Sequence, residues 1–308
     1  MSTTTRDERR GLILVLLSTV AFGVLPILGK VAYGAGVRVL PLLTWRYMVA
    51  ALLFAVLLRK EAPPWRTRLR LWGIGAIFVF NSIAYFMALE LIPASTASLL
   101  IFSYPVIVAL LASAAGLERL SVRSLLAAGL AFAGCALTAA GTGGARALLD
   151  AGPGALLALV AAVVYASYVV LASRFARDVK AQVLAQHLSQ VSAFTCLALG
   201  LGTGGIAIPS TLRAWLPVLG AGVVSTVLAF FAFLAGMALI GPTRASVVSS
   251  FEVVVTVVLA FALLGERLSP LQWAGAALIL GAVVWQSAGA LRGRMPRSLV
   301  PPAGRSEG

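Results

Sequence analysis

Apolar residues run along this chain in long unbroken blocks rather than in the short clusters of an amphipathic surface helix. The blocks fall at residues 11–33, 39–58, 71–91, 94–117, 124–141, 153–172, 181–202, 214–240, 243–264 and 269–290. A helix needs about 20 mostly apolar residues to cross a hydrocarbon core of about 30 Å, and each block is close to that length. Residues 71–117 and 214–264 would each read as one block but for Pro93 and the pair Gly241-Pro242. An interior proline removes a backbone donor and clashes with the preceding turn, so both stretches divide. The first block follows Arg6, Arg9 and Arg10 as a signal peptide would, but it is longer than a signal core, carries Lys30, and precedes nine more blocks. It reads as an uncleaved first span. The pattern predicts an all-α integral membrane protein of ten transmembrane helices.

Composition closes off the alternatives. Of 308 residues, 60% are hydrophobic and 11% charged, with a mean hydropathy of +1.00. Water-soluble domains carry roughly a quarter charged residues, so a cytosolic, secreted or disordered chain is excluded. The net charge of +14 invites a nucleic-acid reading, and the placement of the charges argues against it. If the N-terminus lies inside, eighteen of the 24 basic residues fall in cytoplasmic segments and four (Arg38, Arg146, Arg213 and Arg267) on the other side. That bias is the positive-inside rule for an even number of spans. It predicts a multi-pass protein of the cell (inner or plasma) membrane with both termini cytoplasmic, and contact with anionic lipids on that face. No nucleic-acid partner is expected.

A shift of 148 residues superposes the halves. Leu91-Ile92 falls on Leu239-Ile240, Ala97-Ser98 on Ala245-Ser246, and Glu118-Arg119-Leu120-Ser121 on Glu266-Arg267-Leu268-Ser269. Apolar identities are common between spans; a four-residue polar match in register is not. Each half holds five spans, and an odd number inserts the second copy upside down. The predicted layout is a cytoplasmic N-terminus over 1–10, a first repeat over 11–141, an inverted second repeat over 153–290, and a basic cytoplasmic tail over 291–308, expected to be disordered. Two inverted repeats form a shared site near the bilayer midplane and rock about it, which is the architecture of secondary transporters.

On these residues the chain resembles the EamA-type branch of the drug/metabolite transporter superfamily. The segments Ala94–Ser121 and Thr243–Ser269 are similar to its small-residue helix start, mid-helix Glu-Pro-Val and terminal Gly-Glu-Arg-Leu-Ser. Thr44-Trp45-Arg46-Tyr47 followed by Ala50 resembles its second span. The likeness covers roughly 11–290. The chain departs from the pattern in a complementary way: one copy reads Tyr104-Pro105-Val106 without the acid, the other Glu252-Val253-Val254 without the proline. The resemblance implies an exporter or facilitator of small metabolites, including the aromatic amino-acid exporters, with a cavity made by spans one, three, four, six, eight and nine.

Charged side chains within spans need a reason. Ser249, Glu252 and Thr256 share one helical face, as a polar stripe along a pathway or as an acid held at a helix contact. Arg46 could hold a carboxylate or phosphate, be anchored to backbone carbonyls of a neighbouring helix, or snorkel toward the interface. Lys30, one turn from the end of its span, could contact substrate or snorkel. Asn81 with Tyr85, Tyr165 with Tyr168, Phe22 with Pro26, and Tyr104 and Phe233 put aromatic and polar groups in mid-span, as cavity or as packing. The expected substrate site is Asn81, Tyr85, Tyr104, Tyr165, Phe233, Ser249 and Glu252, with Lys30 and Arg46 as charged contacts. Gly129 with Ala133, and Ala277 with Gly281, are small residues four apart and read as scaffold or a dimer contact in a monomer or homodimer. His187 stands alone among histidines, Cys135 and Cys196 are far apart, and Asp7, Asp150 and Asp178 lie outside the spans. No catalytic residue, metal site or cofactor is predicted. Aromatic or hydrophobic amino acids lead as substrates; a multidrug or organic-cation exporter, and a channel-like or structural membrane protein, are the alternatives.

Overall fold

The computed structural model describes residues 3–57, 63–101, 103–117, 121–140, 152–175, 179–264 and 269–292. Among them every regular element is helical, in fourteen α-helical segments and one π-helical stretch. Laid end to end these make ten spans. Span one is Thr3–Gly23 with Leu25–Gly34, span two Val39–Leu57, span three Trp65–Leu91, span four Ala94–Ile101 with Tyr104–Ala114, and span five Val122–Ala140. Span six is Gly152–Phe175 and span seven Ala181–Gly202; span eight joins Leu212–Gly222, the π-helical Val223–Leu228 and Ala229–Ile240. Span nine is Pro242–Ser249 with Phe251–Leu264, and span ten Pro270–Arg292. The Glu-Arg-Leu segments of the repeat signature, and the tail after 292, lie outside the described residues.

Six stretches are long and apolar enough to cross a bilayer on their own: Arg6–Gly34, Val39–Val56, Trp65–Leu91, Gly152–Phe175, Leu212–Ile240 and Pro242–Leu263. Spans four, five and ten contribute shorter apolar helices. Span seven is diluted by Gln186, His187, Ser189, Gln190 and Ser192, and it turns that content inward against spans two and three.

The helix contacts come in exchanged pairs. Span six packs on three and four, and span one on eight and nine; five packs on ten, two on seven, and four on nine. Each relation is kept when one repeat is swapped for the other. The first helix of each repeat thus lies on the third and fourth helices of the opposite repeat, so the two halves interlace. Glycine marks both crossings. A Cβ at Gly11 would stand 2.6 Å from Ile240 Cγ2 and 2.9 Å from Leu239 Cβ; one at Gly154 would stand 2.7 Å from Ile92 Cγ2 and 3.1 Å from Leu91 Cβ. These are the Leu-Ile pairs that the 148-residue shift superposes. Gly11 lies in the first half of span one beside the end of span eight, and Gly154 lies in the first turn of span six beside the end of span three. The second repeat therefore runs upside down relative to the first.

Span five meets span ten through Gly134, where a Cβ would be 2.7 Å from Gly275 O and 2.8 Å from Ile279 Cγ1. Gly129 and Gly281 have nothing within 4 Å of a built Cβ. The close approach thus uses a different small residue from the spacing singled out in the sequence, and Gly129, Ala133, Ala277 and Gly281 are exposed.

Candidate functional site

Four spans are interrupted in mid-course, and the interruptions converge. Span one breaks at Val24 because Pro26 has no N–H to give to the preceding turn. Carbonyls beside the break are taken by other spans: Ser225 Oγ donates to Ala21 O at 2.6 Å, and Thr256 Oγ1 donates to Gly23 O at 3.1 Å. Span four restarts at Tyr104-Pro105. Span nine restarts at Phe251 without any proline. There the serines bond backward, Ser246 Oγ to Thr243 O at 2.8 Å and Ser250 Oγ to Ser246 O at 3.4 Å. Such back-bonding competes with the helical ladder and bends it. The breaks in spans four and nine are related by the repeat, and they set Tyr104 and Glu252 in the first turns of half-helices. Span eight is disturbed by its π-helical stretch, a form frequent at functional sites.

Between these interruptions lies a cavity of about 70 Å3. Its walls are aromatic. Ring contacts run from Tyr104 to Tyr165 (4.7 Å between centroids), Tyr165 to Tyr168 (5.5 Å), Tyr168 to Phe78 (4.9 Å) and Phe78 to Phe230 (4.9 Å). Phe22 then bridges Phe230 at 5.9 Å and Phe233 at 6.4 Å. The chain of rings joins spans four, six, three, eight and one. Span three adds Asn81, Ser82, Tyr85 and Phe86, span two adds Arg46 and span nine Glu252. A buried water needs about 10–15 Å3 by this measure, so the space holds about five waters. An organic substrate enters only if the walls move apart.

Polar groups in the walls are partly committed. Tyr85 Oη is 3.0 Å from Ser98 Oγ, Tyr47 Oη donates to Ser82 Oγ at 2.6 Å, and Tyr104 Oη donates to Ser246 O at 3.4 Å. Asn81 Oδ1 is buried without a hydrogen-bond partner. Arg46 is 1% exposed; its Nε donates to Thr226 Oγ1 at 2.7 Å, and its Nη1 is buried and unpartnered. Its guanidinium lies over the rings of Tyr47 (4.7 Å) and Phe86 (5.4 Å). Among the described residues neither Arg46 nor Glu252 has an ion-pair partner; the ion pair found there joins Arg244 to Glu8 at 3.4 Å. A guanidinium and a carboxyl group thus line one aromatic chamber without an ion pair between them.

The structure gathers Asn81, Tyr85, Tyr104, Tyr165, Phe233, Glu252 and Arg46 around this chamber. It divides the stripe of span nine. Ser249 ends the first half-helix, buried with its Oγ unpartnered, while Thr256 ties down span one. Lys30 stands outside the chamber, its Nζ donating to Leu89 O at 2.8 Å and Ile92 O at 3.1 Å. A cation suits these carbonyls at a helix C-terminus. His187 Nδ1 pairs with Val183 O at 2.7 Å, one turn back along its own helix. Cys196 is buried, and the side chain of Cys135 lies outside the described residues. Among the described residues no three His, Cys, Asp or Glu side chains cluster as a metal site would require. Reading the sequence did not single out Phe78, Ser82, Phe86, Phe230 or Thr226. The first three continue the face of Asn81 and Tyr85 at helical spacing; Thr226 gave no signal, because nothing in Val223–Leu228 announces a π-helical turn.

Known proteins match nearly the whole chain. The model of the EamA-like transporter family matches twice, over residues 9–140 and 152–287. A Bacillus subtilis (strain 168) protein described as "Uncharacterized transporter YcbK" is 28% identical over 285 residues, covering 88% of this chain and 90% of that protein. A crystal structure described only as that of a protein superposes with a TM-score of 0.75 at 23% identity, over 90% of this chain and 98% of the other. At that identity the likeness speaks to the fold.

Proposed function

The chain belongs to the EamA-like transporter family, and from that premise we propose that it is a secondary carrier of amino acids with aromatic or other hydrophobic side chains. It is a multi-pass membrane protein and a transporter of small molecules, not an enzyme. The observation that carries the finer reading is the coexistence of Arg46 and Glu252, unpaired, in one aromatic-walled chamber. A zwitterion presents a carboxylate and an ammonium at fixed separation, and a buried charge is tolerable when a partner arrives to compensate it. The rings accept a flat or apolar side chain and favour a cation over their faces.

In this reading Asn81, Tyr85, Tyr104, Tyr165 and Phe233 form the walls, and Glu252 receives the ammonium. Ser249 ends the half-helix before Glu252 with its hydroxyl unpartnered, and Lys30 fastens the end of span three. The chamber opens alternately to each side as the interlaced halves rock. In this reading both termini lie on the cytoplasmic face of the cell membrane, with anionic lipids against the basic segments, as the charge bias favours.

Labelled phenylalanine trapped in liposomes with the purified protein should leave several-fold faster than from protein-free vesicles. Equal rates reject this substrate class. An organic-cation exporter is the second reading, favoured by a carboxyl set among aromatic rings, and it predicts that phenethylamine outruns phenylalanine in the same vesicles.

A further inference from the structure

Arg46 is a permanently charged group shut inside the fold, and the way it is held goes beyond its presence in the chamber. We propose that Thr226 is a positioning residue that aims the guanidinium of Arg46 at the carboxylate of the transported molecule. The inference rests on the reading of the cavity as the substrate chamber.

Four observations support it. First, Arg46 Nε donates to Thr226 Oγ1 at 2.7 Å, which ties the guanidinium at its inner nitrogen and leaves its terminal edge untied. Second, Thr226 cannot turn away. Its own hydroxyl proton goes to Ala221 O, five residues back, at 2.7 Å, so the oxygen is an oriented acceptor. That bond exists in this register because Val223–Leu228 is π-helical; an α-helical turn would carry position 226 to another bearing. Third, the backbone of span eight lies hard against Arg46. A Cβ at Gly222 would stand 3.1 Å from Arg46 O and 2.9 Å from Val49 Cγ1, so only glycine allows the approach. Fourth, the rings of Tyr47 and Phe86, at 4.7 and 5.4 Å from Cζ, pack against the guanidinium and limit its movement.

What remains is the Nη1–Nη2 edge. Nη1 is buried without a partner, and Arg46 makes no hydrogen bond among the described residues beyond the one to Thr226. A planar fork with its outer edge free matches a two-oxygen acceptor, and a carboxylate is the acceptor that fits bidentately in a small chamber. Thr226 thereby sets specificity: it favours molecules that carry a carboxylate over the same molecules without one.

The test uses full-length protein, in detergent for binding and in liposomes for flux. Phenylalanine and 3-phenylpropionate share the carboxylate; phenethylamine lacks it. Thr226→Val removes the hydroxyl at nearly constant shape, and Thr226→Ser keeps it. The KM for phenylalanine should rise about tenfold or more in Thr226→Val, as expected for losing an oriented charge-assisted bond. The maximal rate should change less, phenethylamine flux should hold, and Thr226→Ser should restore the wild-type KM. In detergent, both carboxylates should raise the Tm of wild type and of Thr226→Ser but not of Thr226→Val. Should Thr226→Val fail to fold, Arg46→Lys replaces it: this variant keeps the charge without a fork or an Nε, and it should lose the preference for carboxylates. If phenylalanine is neither bound nor carried while 3-phenylpropionate stabilises wild type and not Thr226→Val, the amino-acid reading falls and the role of Thr226 stands. The role falls if no carboxylate stabilises wild type, or if Thr226→Val or Arg46→Lys discriminates as wild type does. It falls equally if Thr226→Val weakens phenethylamine as much as phenylalanine.

Discussion

Glu252 and Tyr104 hold equivalent places in the two repeats, each in the first turn of a half-helix that restarts in mid-span. The positive end of a helix favours a carboxylate, so Glu252 sits where a charge is cheapest inside a span, while Tyr104 offers only a hydroxyl. This asymmetry gives the chamber one ionisable wall. If Glu252 binds and releases a proton during the cycle, Glu252→Gln should abolish accumulation of phenylalanine driven by a pH gradient while exchange across vesicles without a gradient continues at a raised KM, since an amide accepts from the ammonium more weakly than a carboxylate. An undiminished response to the gradient makes Glu252 a structural acid. Lys30 provides the contrast. Its ammonium ties down two carbonyls at the end of span three, outside the chamber. Losing hydrogen bonds to a charged group typically costs about 1.5–3 kcal/mol. Lys30→Met should therefore lower the Tm by several degrees and leave the KM for phenylalanine within twofold; a large change in KM would bring Lys30 into the site.

The breaks within spans show how far the elements could be read in advance. Pro26 and Pro105 are visible breakers, yet both blocks read as continuous helices, because apolar length alone cannot distinguish one helix from two stacked halves. Span nine offers no proline at its break, which depends on Ser246 and Ser250 turning their hydroxyls onto the backbone, a choice made in three dimensions. The apparent stripe of Ser249, Glu252 and Thr256 assumed one unbroken helix and was divided for that reason. Helix number, the inverted repeat and most wall residues were legible, since hydropathy and spacing fix which face turns inward. The π-helical turn and Thr226 were not. Small residues make the same point between spans five and ten, where Gly134 meets the opposite backbone and Gly129 meets nothing. Gly134→Val should destabilise by about 1–3 kcal/mol, the usual penalty of overpacking. Gly129→Val should leave the Tm unchanged, and equal losses in the two variants would contradict the crossing seen here.

At the scale of the molecule the interlaced repeats place matching seals at opposite ends. Gly11 lies on Leu239 and Ile240 at the end where Glu8 pairs with Arg244, and Gly154 lies on Leu91 and Ile92 at the end where Lys30 is tied down. Both crossings are tightly packed, and the chamber of about 70 Å3 is lined by residues of both repeats. A side chain at either glycine has no room, so it should wedge open its own end alone. The consequence can be measured with Ser82→Cys, which places a thiol in the chamber wall, in a background with Cys135 and Cys196 replaced by alanine. Adding Gly11→Val should let a membrane-impermeant thiol reagent reach position 82 from the side of the N-terminus. Adding Gly154→Val should admit it from the opposite side. If both variants label from one side, the chamber has a single mouth and alternating access fails; if either variant labels from both sides, the protein works as a pore. Opposite-sided labelling is what two inverted repeats around one site require, since a motion that parts one crossing is the mirror of the motion that parts the other.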